Sequence, residues 1–84
     1  MRTPSKYSPL GAHLSSLQSS REEMSFDGVE QMIGSRLPAS ARAYRPWWGN
    51  DFASPSRQCF SWQRAGWRVE TVDLIRERVI FVRQ

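Results

Sequence analysis

A chain of 84 residues has room for one domain and one small core, so its ten aromatic residues, four of them tryptophan, must supply much of the burial that holds it folded. The single cysteine, Cys59, excludes an internal disulfide; the opening "MRTPSKYSPL" lacks the apolar run of a secretory leader, and no apolar stretch reaches the length of a membrane helix, so the expectation is a cytoplasmic protein. The net charge of +4 is concentrated: residues 36–68 carry Arg36, Arg42, Arg45, Arg57, Arg64 and Arg68 against Asp51 alone, and the same third holds seven of the ten aromatics.

In chain order, residues 1–7 read as a flexible arm and 8–84 as a single compact domain. Ser8-Pro9 is a cap followed by proline in the first turn, and Leu10, Leu14 and Leu17 recur at helical spacing, which predicts a helix over about 9–18. After the polar "QSSREE", Met24-Ser25-Phe26 reads as a short extended piece. A second helix follows, with Ser25 as its N-cap, Phe26, Val29 and Ile33 on one face, and Gly34 at the position where a glycine ends a helix.

"SRLPASARAYRP" predicts a tight connection and a short helix that stops near Tyr44, because Pro46 disfavours helical geometry at Arg45. Ser54-Pro55 repeats the cap-plus-proline signal and predicts a helix over 55–65, with Cys59 and Trp62 on its buried side and Gly66 at its end. From Trp67 onward β-branched residues dominate, and "WRVETVDL" and "RVIFVRQ" predict a C-terminal hairpin. Its inward parity changes between Val69 and Val72, which a bulge would reconcile, and the absence of glycine from the turn calls for a loop longer than two residues. The expected fold class is α+β, three to four short helices with a C-terminal β-hairpin, in the order of a winged helix-turn-helix domain.

The residues offer little to catalysis. Cys59 and His13 are the only candidates for a nucleophile–base pair and lie far apart in the chain, and neither has ligand-type neighbours at metal spacing. No glycine-rich phosphate loop is present, so the expectation is a protein without enzymatic activity, cofactor or metal. "GVEQMIGSRLPASARAY" does carry the pattern of a helix-turn-helix, with Val29, Ile33, Gly34 and Leu37 in order and Ser40, Arg42 and Arg45 left to face outward; a plain helical hairpin has the same pattern. Neighbouring residues on a helix or strand point in different directions, so of Trp47 and Trp48 one is expected in the core and one on the surface. Trp62 and Trp67 each bound an apolar pattern and are expected inside.

The stretches "SPLGAHL", "MSFDGVEQMIG", "LPASARAYRPWWGND" and "WQRAGWRVETVDL…RVIFV" together resemble a small, functionally uncharacterised bacterial and phage domain family with an LP-x-SAR…WW-x-N…AGW pattern, from Lys6 to Arg83. The chain departs from it at Gly28, where the family is more usually acidic, which puts a capping box at the second helix in question. The resemblance implies a compact α+β domain and no activity.

These readings lead to a non-catalytic nucleic-acid-binding domain, with DNA favoured over RNA. Arg36, Arg42, Arg45, Arg57, Arg64 and Arg68 would contact phosphates, Ser40 or Gln58 would reach base edges, and one of Trp47 and Trp48 would stack on a base. Replacing Arg42 and Arg45 by alanine would then weaken binding and leave the thermal midpoint nearly unchanged. The alternative is a small phage-encoded inhibitor, anti-CRISPR-like, docking on a larger protein complex; no membrane partner is expected, and homodimerisation is compatible with either reading.

Overall fold

The computed structural model describes residues 7–49 and 59–84. Within them the chain forms four short α-helices and a three-stranded antiparallel sheet: α1 (Ser8–Ser16), β1 (Arg21–Ser25), α2 (Phe26–Ile33), α3 (Ala39–Ala43), a 3-10 turn (Arg45–Trp48), α4 (Cys59–Gln63), β2 (Trp67–Asp73) and β3 (Arg78–Arg83). The sheet order is β1-β3-β2, so the first strand pairs with the last and the C-terminal hairpin closes the sheet. The part of the expected 55–65 helix before Cys59 lies outside the described residues, as do Arg57 and Gln58.

Local chemistry accounts for most of the boundaries. Ser25 Oγ accepts a hydrogen bond from the Gly28 amide at 2.9 Å and opens α2. The capping box is half formed, because glycine at position 28 has no side chain to reach back to the Ser25 amide. Gly34, at φ +72°, takes the left-handed geometry that ends the helix, and its amide donates to the Glu30 carbonyl. The first helix starts a residue earlier than predicted and ends two residues sooner, at Ser16, with Tyr7 rather than Ser8 in the capping position. Tyr7, assigned to the arm by sequence, is half-buried and meets Trp47 edge-on at 5.8 Å, so it belongs to the domain.

The first strand is the largest departure from the sequence reading. It begins at Arg21, inside the polar run taken as a connection, because Arg21, Glu22, Glu23, Met24 and Ser25 pair in register with Val82, Phe81, Ile80, Val79 and Arg78. Backbone pairing with the central strand overrides weak β propensity, and alternation then turns Met24 and Glu22 toward the helices. Glu22 Oε2 meets His13 Nε2 of α1 at 3.1 Å, which gives the inward carboxylate a partner.

On the other edge the register shifts between Val69 and Thr71, leaving Glu70 in a bulge. The bulge reverses the parity, so that Trp67, Val69 and Val72 are all buried on the same strand. The hairpin loop spans four residues beyond the Asp73–Arg78 pair; Asp73 Oδ1 accepts from the Ile75 and Arg76 amides at 3.0 Å, and Glu77 adopts φ +57°.

Helices and sheet enclose one core in which aromatic rings are contiguous. Trp48 stacks between Phe26 at 5.1 Å and Trp62 at 6.1 Å, and Trp62 meets Phe81 edge-on at 5.5 Å. Trp62 and Trp67 are fully buried, as expected. Helix α1 packs against both α2 and α4. Its contact with α4 is backbone-close, since a Cβ placed on Gly11 would lie 2.3 Å from the Ser61 carbonyl oxygen. Gly11→Ala must therefore push the two helices apart, and should lower stability by about 1–3 kcal/mol, read as a lower denaturation midpoint with an unchanged m-value.

Candidate nucleic-acid interface

The arginine- and tryptophan-rich centre of the chain folds in a way its sequence does not announce. The helix α3 ends before Tyr44, whose φ and ψ of −128° and 101° are extended, and the chain re-enters a single 3-10 turn with Pro46 in its first positions. This tight turn carries Trp47 and Trp48 inward together. Their rings meet edge-on at 4.7 Å, and only 9% of Trp47 and 1% of Trp48 remain exposed. The Trp48 indole N–H donates to the Ala41 carbonyl at 2.8 Å, which satisfies the one polar atom it brings into the core. The expectation that one of the two forms a surface stacking platform is corrected: Trp48 fills the core and Trp47 seals it beneath Tyr7.

Arg42 is likewise part of the structure. Its guanidinium reaches Glu77 Oε2 at 2.5 Å, Glu30 Oε2 at 3.0 Å and Asp27 Oδ1 at 3.2 Å, and lies 5.8 Å from the centre of the Phe26 ring. Three carboxylates from α2 and the hairpin thus converge on one cation of α3. Hydrogen bonding to Glu30, then to Glu77 and Asp27, raises the Arg42 pKa further above its ordinary value. Glu30 is held below the usual carboxylate range, first by the Leu37 amide, which donates to its Oε2 at 2.8 Å, and then by Arg42.

The remaining predicted residues are spread over several surfaces. Arg36 is exposed on the connection between α2 and α3, and Ser40 is exposed on α3. Arg64 is exposed in the turn after α4. Arg68 is exposed on the outer face of β2, in a row with Val82 and Arg21 across the sheet. Arg45 is exposed, and its Nη1 donates to the Val72 carbonyl. It forms one wall of a groove of about 380 Å³ between the 3-10 turn and β2, lined also by Pro46, Trp48, Val69, Glu70 and Thr71.

Sequence reasoning passed over Tyr44, the one aromatic side chain that stands exposed among the described residues, at 61%. Its signal was present: it precedes Arg45-Pro46, where the helix has to end, so its ring leaves the buried face that Ala41 occupies on α3. Among the described residues no group of three or more His, Cys, Asp or Glu side chains is placed to hold a metal ion, and no helix is long and apolar enough to cross a membrane.

A family model described as a domain of unknown function, DUF7662, matches residues 7–84. The chain belongs to the DUF7662 family. No curated protein and no solved structure matches it. The DUF7662 match begins at Tyr7, which packs on Trp47.

Two consequences of the Arg42 cluster are measurable. Arg42→Ala should lower the thermal midpoint, in contrast to the sequence expectation, and a double-mutant cycle with Glu77→Gln should return a coupling of about 1 kcal/mol. Glu30 has a lowered pKa in the folded state, so its contribution to stability is complete above the ordinary carboxylate range and is lost as pH falls through the folded value. Glu30→Gln should therefore be less stable than the wild type at neutral pH, with the gap closing on acidification, as followed by denaturant titrations across pH.

Proposed function

We propose that this DUF7662 domain binds nucleic acid, with DNA as the favoured form, and performs no chemistry on it. The observation that carries the reading is the sheet order. The pairing of β1 with β3 and the β2–β3 hairpin at the C-terminus support reading this α+β chain of net charge +4 in the order of a winged helix-turn-helix domain. Helix α1 packs on both α2 and α4, and α3 follows α2 through the connection that holds Gly34 and Leu37.

Among the described residues the arginines differ in exposure. Arg36, Arg45, Arg64 and Arg68 are exposed, whereas Arg42 is committed to three carboxylates. The hairpin tip adds Arg76, whose side chain is 81% exposed and whose Nε lies 4.0 Å from Asp73 Oδ2.

The test is a fluorescence anisotropy titration of labelled duplex and single-stranded DNA over roughly 50–200 mM salt. Neutralising about four phosphates of a duplex predicts a slope of log K against log[salt] between about −3 and −4. Arg36→Ala and Arg68→Ala should each reduce the magnitude of that slope by about 1 while leaving the thermal midpoint in place, since both side chains are exposed. Affinity independent of salt, or no binding to either probe, removes the reading and leaves a protein surface as the partner to be sought by co-purification with host complexes.

A further inference from the structure

We propose that Tyr44 and the adjoining groove take up a single strand of nucleic acid, with a base stacked on the Tyr44 ring and the strand's backbone on the Arg45 side. The inference rests on the nucleic-acid reading and names the form of the ligand. Its first support is exposure: Tyr44 presents 61% of its surface to solvent in a protein whose other described aromatic residues are buried or half-buried, on a backbone fixed by hydrogen bonds from its amide to Ser40 and from the Trp47 amide to its carbonyl. An uncovered ring on a fixed backbone suits sequence-tolerant recognition of single strands, because every unpaired base offers a π-face. The other large exposed apolar side chain, Ile75 at 95%, is aliphatic and offers no such face.

The second support is the chemistry of its neighbour in the chain. Arg45, the next residue, forms one wall of the groove, whose volume of about 380 Å³ lies toward the small end of ligand pockets. One of its guanidinium N–H groups is used on the Val72 carbonyl, which orients the plane and leaves further donors for a phosphate oxygen. Pro46, Trp48, Val69 and Val72 make the lining largely apolar, and Thr71 adds a hydroxyl.

Glu70 lies on the opposite, β2 side, placed outward by the bulge. Its charge repels a phosphate, so the backbone follows the Arg45 wall and the bases turn toward β2. A duplex cannot use this arrangement, since its bases are covered above and below by their neighbours.

The experiment compares wild-type protein with Tyr44→Ala, Tyr44→Phe and Glu70→Gln, by anisotropy with labelled oligothymidine and with a duplex. The expected result is an affinity for oligothymidine about tenfold lower in Tyr44→Ala, retained in Tyr44→Phe and raised a few-fold in Glu70→Gln, with duplex affinity little changed and thermal midpoints preserved. Oligothymidine binding that is salt-dependent in the wild type and equal in Tyr44→Ala overturns this inference and leaves the nucleic-acid reading standing. Should Tyr44→Ala prove unstable, equal binding by the wild type and Glu70→Gln overturns the assigned strand direction, and with it the groove. Absence of binding to both probes by the wild type removes the underlying reading and this inference with it.

Discussion

The burial of Trp48 organises this domain. Its ring lies between those of Phe26 from α2 and Trp62 from α4, and its indole N–H is answered by the Ala41 carbonyl of α3, so a single side chain joins three helices. Through Trp62 the contact passes to Phe81 on the central strand. In a chain this short, with no disulfide to constrain it, such ring-to-ring continuity supplies what a larger aliphatic core supplies elsewhere. The 3-10 turn follows from it: only a tight turn lets adjacent tryptophans enter the core together, Trp48 to its centre and Trp47 to its rim.

A second tie, at the surface, holds the same elements from outside. The Arg42 guanidinium draws carboxylates from α2 and from the hairpin to α3, and the Phe26 amide donates to the Glu77 carbonyl at 2.8 Å. Both contacts engage Glu77, a non-glycine residue in the left-handed region, which is costly for a residue with a Cβ. Its carbonyl and its carboxylate are each used in binding α2 and α3, which accounts for a glutamate standing where the turn alone favours glycine. The hairpin is therefore oriented by helix contacts as well as by its own loop, and Ile75 and Arg76 project from a tip anchored on both sides.

This arrangement divides the arginines of the central third by role. Arg42 completes the fold, Arg45 covers a carbonyl on the free edge of β2 and borders a groove, and Arg36, Arg64 and Arg68 stand on the surface. Capping that edge has a structural use of its own, because an unpaired strand edge is a template for unwanted pairing. Arginine serves both purposes, since a planar fork that donates to a backbone carbonyl still has donors to offer a ligand.

Much of the architecture was legible in local signals. Ser25 and Gly34 bounded α2, Pro46 ended α3 at Tyr44, and the clash of parity between Val69 and Val72 announced a bulge before any pairing was known, because caps, proline and side-chain alternation act over a few residues. The strand at Arg21–Ser25 was not legible at its start, since its polar residues are extended only by pairing with β3, more than fifty positions away. Nor were the roles of Trp47, Trp48 and Arg42. The sequence established that this chain would bury aromatics and carry excess arginine in its middle third; that both adjacent indoles were covered, which guanidinium met carboxylates and which aromatic was left in solvent depended on contacts between residues distant in sequence, and those contacts exist only once helices and sheet have packed.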